Sequence, residues 1–332
     1  MSHSFRLWLT VLTSISLAGA ASAQSDGGGH LQLEAKIPLG QVRGRIDHMA
    51  VDLKRQRLFV AELGNDAVGV VDLANRSVVR TLSGLHEPQG VGYEPSTDAL
   101  YVANAGDGSL RVFDGNTYAL RRQIELGSDA DNIRVDAGAQ RVIVGHGGGS
   151  LAYLDPATLN TVQSASLKAH PESFQIDPNS GRIFVNVPNS RAVAVLDGAS
   201  GKLLSTWPME KGGNFAMAID LNRNRLLLAF RNPPALVVLE LADGRAISTV
   251  DTCDDVDDLF VDSRRKRTYV SCGQGYVDVF ETQGTTYQRI SRVPTAAGAR
   301  TSLFVPELDR LMVAVREGPA GPAAIWIFKP VP

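Results

Sequence analysis

The chain has 332 residues, 33 Lys and Arg against 35 Asp and Glu, a formal net charge of −2 and a pI near 6.3. That balance argues against nucleic acid and anionic membrane surfaces as partners, because both ask for a basic face. No C-x-x-C-H occurs, which excludes covalently attached haem.

Taken in order, Arg6 precedes an apolar run over residues 7–17, and Ala21 and Ala23 form an A-x-A site before Gln24. This pattern predicts a secretory signal peptide over 1–23 and a protein of the periplasm or the secreted fraction. The run is short for a membrane span, and no second one follows, so no span is expected after cleavage. Cleavage removes one Arg and leaves 32 basic against 35 acidic residues. Residues 24–30, rich in Gly, read as a flexible lead-in, and residues 31–39 alternate as a single strand without a hairpin partner.

From there a repeat of about 42 residues runs to the end. Each copy has a short strand, a turn opened by Asp52, Glu94, Asp136, Asp177, Asp220, Asp262 or Pro306, and a second strand. The second strands fall at 58–60, 100–102, 142–144, 183–185, 226–228, 268–270 and 311–313. A third strand ends on Asp72, Asp114, Asp155, Asp197 or Glu240 in five copies, and a more variable fourth strand follows, as at 77–81. Four short strands per repeat of this length predict an all-β fold, a β-propeller whose four-stranded blades bury their faces on one another. The last copy has three strands, so the orphan strand at 31–39 is expected to complete it and to close a single seven-bladed ring over 31–332.

The stretches Leu58-Phe59-Val60-Ala61-Glu62 and Leu100-Tyr101-Val102-Ala103-Asn104 resemble the repeat of YVTN-type propellers, the YncE-like exported bacterial family. The resemblance spans the chain from residue 24 onward. It implies the propeller fold and an exported location. It leaves function open, since such propellers include binding proteins and sit beside lactonase-like and lyase-like enzymes.

In a propeller the first strands line the channel, so residues just before each turn acid gather at one mouth. Blade one brings Arg45, Asp47 and His48, blade two His86, Glu87 and Gln89, and blade three Asp129, Asp131 and Asn132. Blade four brings His170 and Glu172, blade five Asn214, blade six Asp255, Asp257 and Asp258, and blade seven Arg300 and Thr301. The ends of the second strands add Glu62, Asn104, His146, Asn186, Arg231 and Arg316.

Within this ring the candidate ligand-binding residues are Asp47, His48, Glu62, Gln89, Asn132, His170, Glu172, Arg231, Asp257, Asp258, Arg300 and Arg316. Two chemistries fit them. His48, His146, His170 and Glu172 would hold a divalent metal ion, since imidazole and carboxylate suit such ions. Arg231, Arg300 and Arg316 would clamp a carboxylate or phosphate. The alternative to both is a polar lining that only solvates the pore.

Other motifs carry less. Gly145-His146-Gly147-Gly148-Gly149 has the HGGG of some lipase oxyanion holes, but no G-x-S-x-G accompanies it. Five acids crowd into residues 251–258 without the EF-hand pattern. Cys253 and Cys272 fall at the mouth end of antiparallel neighbours in blade six, which permits a disulfide, and an oxidising compartment would favour it.

The leading expectation is an exported ligand-binding propeller that takes a small anionic or polar molecule, or a loop of a periplasmic protein partner, at the channel mouth. The alternatives are a metal-assisted hydrolase or lyase at the same place, and a protein-interaction scaffold.

Overall fold

The computed structural model describes Met1 and residues 29–332. The predicted signal peptide and most of the predicted lead-in therefore lie outside the described residues. Over the rest, seven four-stranded antiparallel sheets form the blades of a β-propeller. Among the described residues helix is confined to two short 3-10 turns, Leu63–Asn65 and Pro188–Ser190, and no helix is long and apolar enough to cross a membrane.

Blade one shows how the repeat works. Its strands are Met49–Asp52, Arg57–Glu62, Ala67–Asp72 and Ser77–Ser83. Reversing the chain after Asp52 leaves backbone N–H groups without ladder partners. The Asp52 carboxylate accepts two of them, from Lys54 at 2.9 Å and Arg55 at 3.1 Å. Glu94, Asp136, Asp177, Asp220 and Asp262 repeat this capping in blades two to six. Asp72, Asp114, Asp155 and Asp197 at the ends of third strands do the same, as Asp72 does for the Asn75 N–H at 2.8 Å. The periodic acids are therefore turn chemistry, set on the side of the ring away from the mouth.

The second and third strands are buried on both faces, as in Phe59, Val60, Val68 and Val70, whereas the fourth strand is mostly exposed. This follows from radial stacking: inner strands are sandwiched between neighbouring blades, and outer strands face water. The core is accordingly divided among the blade-to-blade seams. Phe59, Val68, Leu82, Val91 and Leu100 fill one seam, where Phe59 meets Tyr93 at 5.8 Å between centroids. On the turn side some seams are also tied by charge. Arg55 of blade one forks onto Asp98 of blade two at 2.9 and 2.5 Å, and Arg265 of blade six onto Asp309 of blade seven at 2.6 and 2.8 Å.

Near the axis the blades come close enough to dictate residue size. A Cβ on Gly90 would overlap the carbonyl oxygen of Asp131, and one on Gly92 would press on Ile133. Glycine at these two positions lets blade two approach blade three where the latter delivers its mouth residues.

Closure is as expected. The strand Leu31–Pro38 pairs antiparallel with Ala324–Pro330 and becomes the outer strand of blade seven. Ile37 is fully buried in the seam with blade one, while Leu33 on the same strand is 42% exposed. Ile37→Ala should therefore cost about 2–5 kcal/mol, and Leu33→Ala less than about 0.5 kcal/mol. Urea unfolding of the two variants checks this, and equal losses would mean that this strand is not the seal of the ring.

Candidate functional site

The first strands of the seven blades surround the axis, and the loops that lead into them open onto one mouth. A cavity of about 230 Å³ lies there, lined by residues of every blade. Blade one gives Arg45, Asp47 and His48, blade two Gln89, and blade three Asp129 and Asp131. Blade four gives His170 and Glu172, blade five Phe215 and Arg231, blade six Asp257, and blade seven Arg300. Below it the channel widens to a second cavity of about 420 Å³. His48 borders both spaces, so it stands at the floor of the upper and the roof of the lower one.

The charges are largely spent on one another across blade seams. Asp257 is bracketed by two guanidiniums. Arg231 makes a close ion pair with it while donating Nε–H to the Val256 carbonyl at 2.7 Å and lying 3.5 Å over the Phe215 ring. Arg300 sets Nε 3.1 Å from Asp257 and donates to Asp255 at 2.7 Å. Arg45 lies 2.6 Å from Asp47. The His48 ring is ringed by Asp47, Asp131 and Asp258 at 3.8, 3.9 and 4.0 Å. His170 holds the Gly147 carbonyl at 2.7 Å and has Asp129 at 3.3 Å and Asp131 at 3.9 Å.

Enclosure moves the proton affinities. Burial pushes Asp47 up to about 6, against the pull of His48 and Arg45. Burial also raises Asp258 to about 6 and Glu172 to about 7. For His170 burial acts downward, but the bond to Asp131 and the Gly147 carbonyl outweigh it and lift the ring to about 9. His48 goes the same way: burial opposes its charge, and the surrounding carboxylates, Asp47 first, win. His170 is thus held as imidazolium near neutral pH, and His48 is shifted in the same direction.

Hydrogen bonding in the lining is incomplete: both Asp47 carboxylate oxygens and Asp131 Oδ1 are buried without a partner among the described residues, although each carboxylate has a charged neighbour. The Glu172 carboxyl and the Gln89 amide face the cavity, and neither has a hydrogen-bond partner among the described residues. They are also the polar lining groups that share no ion pair among the described residues.

Of the twelve ligand-binding candidates, the structure brings eight to this cavity. Asp258 lines the lower space instead, where the Ser302 N–H donates to it at 2.8 Å. Asn132 is buried beside the channel wall, 3.4 Å from Arg134. Glu62 is buried against Gly69, off the cavity, and burial alone raises it to about 7. Arg316 stands outside the lining and shares no ion pair among the described residues. Burial lowers its proton affinity, and Arg300 and Arg45 add to that. The anion clamp expected of Arg231, Arg300 and Arg316 is thus not assembled, because the first two are neutralised by Asp257 and Asp255.

The expected metal set is not assembled either. Among the described residues no three His, Cys, Asp or Glu side chains converge in a way that would hold a metal ion. His146 lies outside the lining with its Nδ1 buried and unpartnered.

Cys253 and Cys272 form a disulfide with Cα atoms 5.8 Å apart. It ties the approach to blade six's first strand to the end of its second. The Asp278 carboxylate accepts the Cys253 N–H at 2.8 Å and fixes the same segment, and Gly273 leaves the room that Asp255 occupies. The acids that hold Arg231 and Arg300 are thereby pinned.

Asp129 and Asp131 line the cavity yet stood outside the narrowed candidate set, as did Arg45 and Phe215. For the two aspartates the signal was present, since Asp129 and Asp131 occupy the same pre-turn positions as Asp255 and Asp257. Phe215 had none, because its role is to carry Arg231.

No family model matches the chain, and no curated protein matches it. Solved structures do. A chain in the crystal structure of the mitotic checkpoint complex superimposes with a TM-score of 0.78 at 14% identity, over 96% of this chain and 99% of that one. A chain of Kuenenia stuttgartiensis hydrazine synthase does so with a TM-score of 0.71 at 16% identity, over 87% of this chain and 95% of that one. At such identities the likeness is one of fold, and it places the chain among seven-bladed β-propellers.

The raised carboxyls have a consequence for stability. Below about pH 4.5 Glu172 is protonated in folded and unfolded chains alike, and it costs nothing. Between about 4.5 and 7 the unfolded chain releases this proton and the folded one keeps it, so stability falls as pH rises through that window. Glu172→Gln should therefore gain on the order of 1–3 kcal/mol relative to wild type at pH 7.5 and nothing at pH 4. Urea unfolding at both pH values is the measurement, and an equal effect at both would show that Glu172 is not held protonated.

Proposed function

We propose that the protein is an exported ligand-binding propeller and that its mouth cavity takes a small, uncharged polar molecule bearing hydroxyl or amide groups. One observation carries this. The mouth's arginines and aspartates are paired with one another, and the polar lining side chains that share neither an ion pair nor a hydrogen bond among the described residues are the Glu172 carboxyl and the Gln89 amide. A charged ligand would have to displace an internal ion pair. A neutral one would only need to match a carboxyl and an amide, and the balanced charges around it supply a stiff polar frame. The volume suits a molecule of roughly monosaccharide size.

Export rests on residues 1–23 and is in keeping with the disulfide. Fractionation of bacteria that express the full chain should place it in the periplasm, shortened by about 23 residues. A full-length chain in the cytosol would overturn this part of the proposal.

A thermal-shift screen of neutral sugars, polyols and amides against a matched set of carboxylates and phosphate esters tests the ligand class. Neutral compounds should give the hits. Glu172→Gln and Gln89→Ala should each weaken the best of them by about 5–100-fold in calorimetry. Hits confined to the anionic set, or affinities untouched by both substitutions, would remove the reading.

A partner's loop carrying Asn or Ser side chains would use the same two groups, and the likeness to a component of a protein assembly keeps that form of ligand in view. A short peptide set in the same screen separates the two.

A further inference from the structure

The channel beneath the mouth holds a charge that nothing above accounts for. Arg134 stands between Ile133 and Val135 in the first strand of blade three, Ile133–Asp136, and lines the lower cavity. It is surrounded by protein yet partly accessible, because what it faces is the channel. Its guanidinium donates to the carbonyl of Ile133 at 2.8 Å, to Asn132 Oδ1 at 3.4 Å and to Ser173 Oγ at 3.5 Å, and it sits 5.4 Å from the Phe174 ring centroid. That engages three of five N–H groups, two of them at long range, and leaves Nε–H without an acceptor.

No carboxylate comes within ion-pair distance of Arg134 among the described residues. Asp258, which lines the same cavity, receives the Ser302 N–H and faces His48. Burial lowers the proton affinity of Arg134, and Asp258 and Asp131 offset only part of this. Much of the remaining wall is apolar, from Val51, Val135, Ile219, Phe260 and Leu303. A guanidinium beside a space with such walls is expensive to keep without a counter-charge, and an anion placed there is strongly held.

We propose that the channel below His48 is a second binding site, which takes one small monovalent anion on Arg134, with Ser173 beside it. The anion would be either a free inorganic ion or a carboxylate group of an organic molecule. The inference is independent of the mouth reading, since it uses neither Glu172 nor Gln89.

The probes are bromide and formate, titrated at fixed ionic strength into wild type and Arg134→Gln while thermal unfolding is followed. Wild type should gain about 2–4 °C in a saturable manner, and R134Q should not. A gain with formate alone assigns the site to carboxylates, and a gain with both assigns it to small anions in general. An equal response in R134Q, or none in wild type, overturns the site. Should R134Q fail to fold, a wild-type crystal soaked in bromide decides. An anomalous peak within about 3.5 Å of the Arg134 guanidinium supports the proposal, and its absence together with no density for formate in a second soak removes it.

Discussion

A four-stranded sheet that is apolar on both faces has to place each face against a neighbour. Seven such sheets satisfy one another only as a closed ring, and most features of this molecule follow from that. Second and third strands are buried throughout, the core is split among the seams, and fourth strands are free to vary. The axis is crowded enough that Gly90 and Gly92 leave no room for a side chain. The same geometry turns a sequence spacing of about 42 residues into adjacency, so single residues from every blade meet at one mouth.

Charges brought together in this way cannot stay independent. Asp257 takes two arginines from the blades on either side, His48 takes carboxylates from three blades, and His170 takes two from blade three. These contacts knit the blades on the mouth side much as Arg55 with Asp98 and Arg265 with Asp309 knit them on the turn side. The mouth is therefore structural as well as receptive. The groups left over after mutual neutralisation, rather than the whole polar ring, define what it can receive. Arg134 is the exception, a cation one layer deeper that the network does not reach.

How much of this was legible in the sequence follows from how local each feature is. The turn acids could be read because an Asp or Glu that caps its own turn acts over three residues, and the chemistry recurs in the first six copies. The closing strand could be read because alternation without a hairpin partner leaves one place to go. Which mouth charges cancel could not, because Arg231 meets Asp257 and Arg300 meets Asp255 across seams whose exact offsets no local pattern encodes. Hence the expected arginine clamp dissolved into ion pairs, and the expected metal set came apart, with His146 outside the mouth lining. Arg134 left a trace, a charge between Ile133 and Val135, but it lies within the strand and beyond the pre-turn positions that form the mouth.

The strand that seals the ring is made first and used last. Residue 31 pairs with residue 330, so the seam between blades seven and one has to wait for nearly the whole chain. Until then the molecule is a row of blades with a raw apolar face at each end and an open strand edge. Joining ends so far apart costs little in equilibrium free energy but much in time. An identical strand on another copy fits the waiting edge equally well. Self-closure therefore competes with exchange between copies, and the balance shifts with concentration during folding rather than with any property of the finished ring.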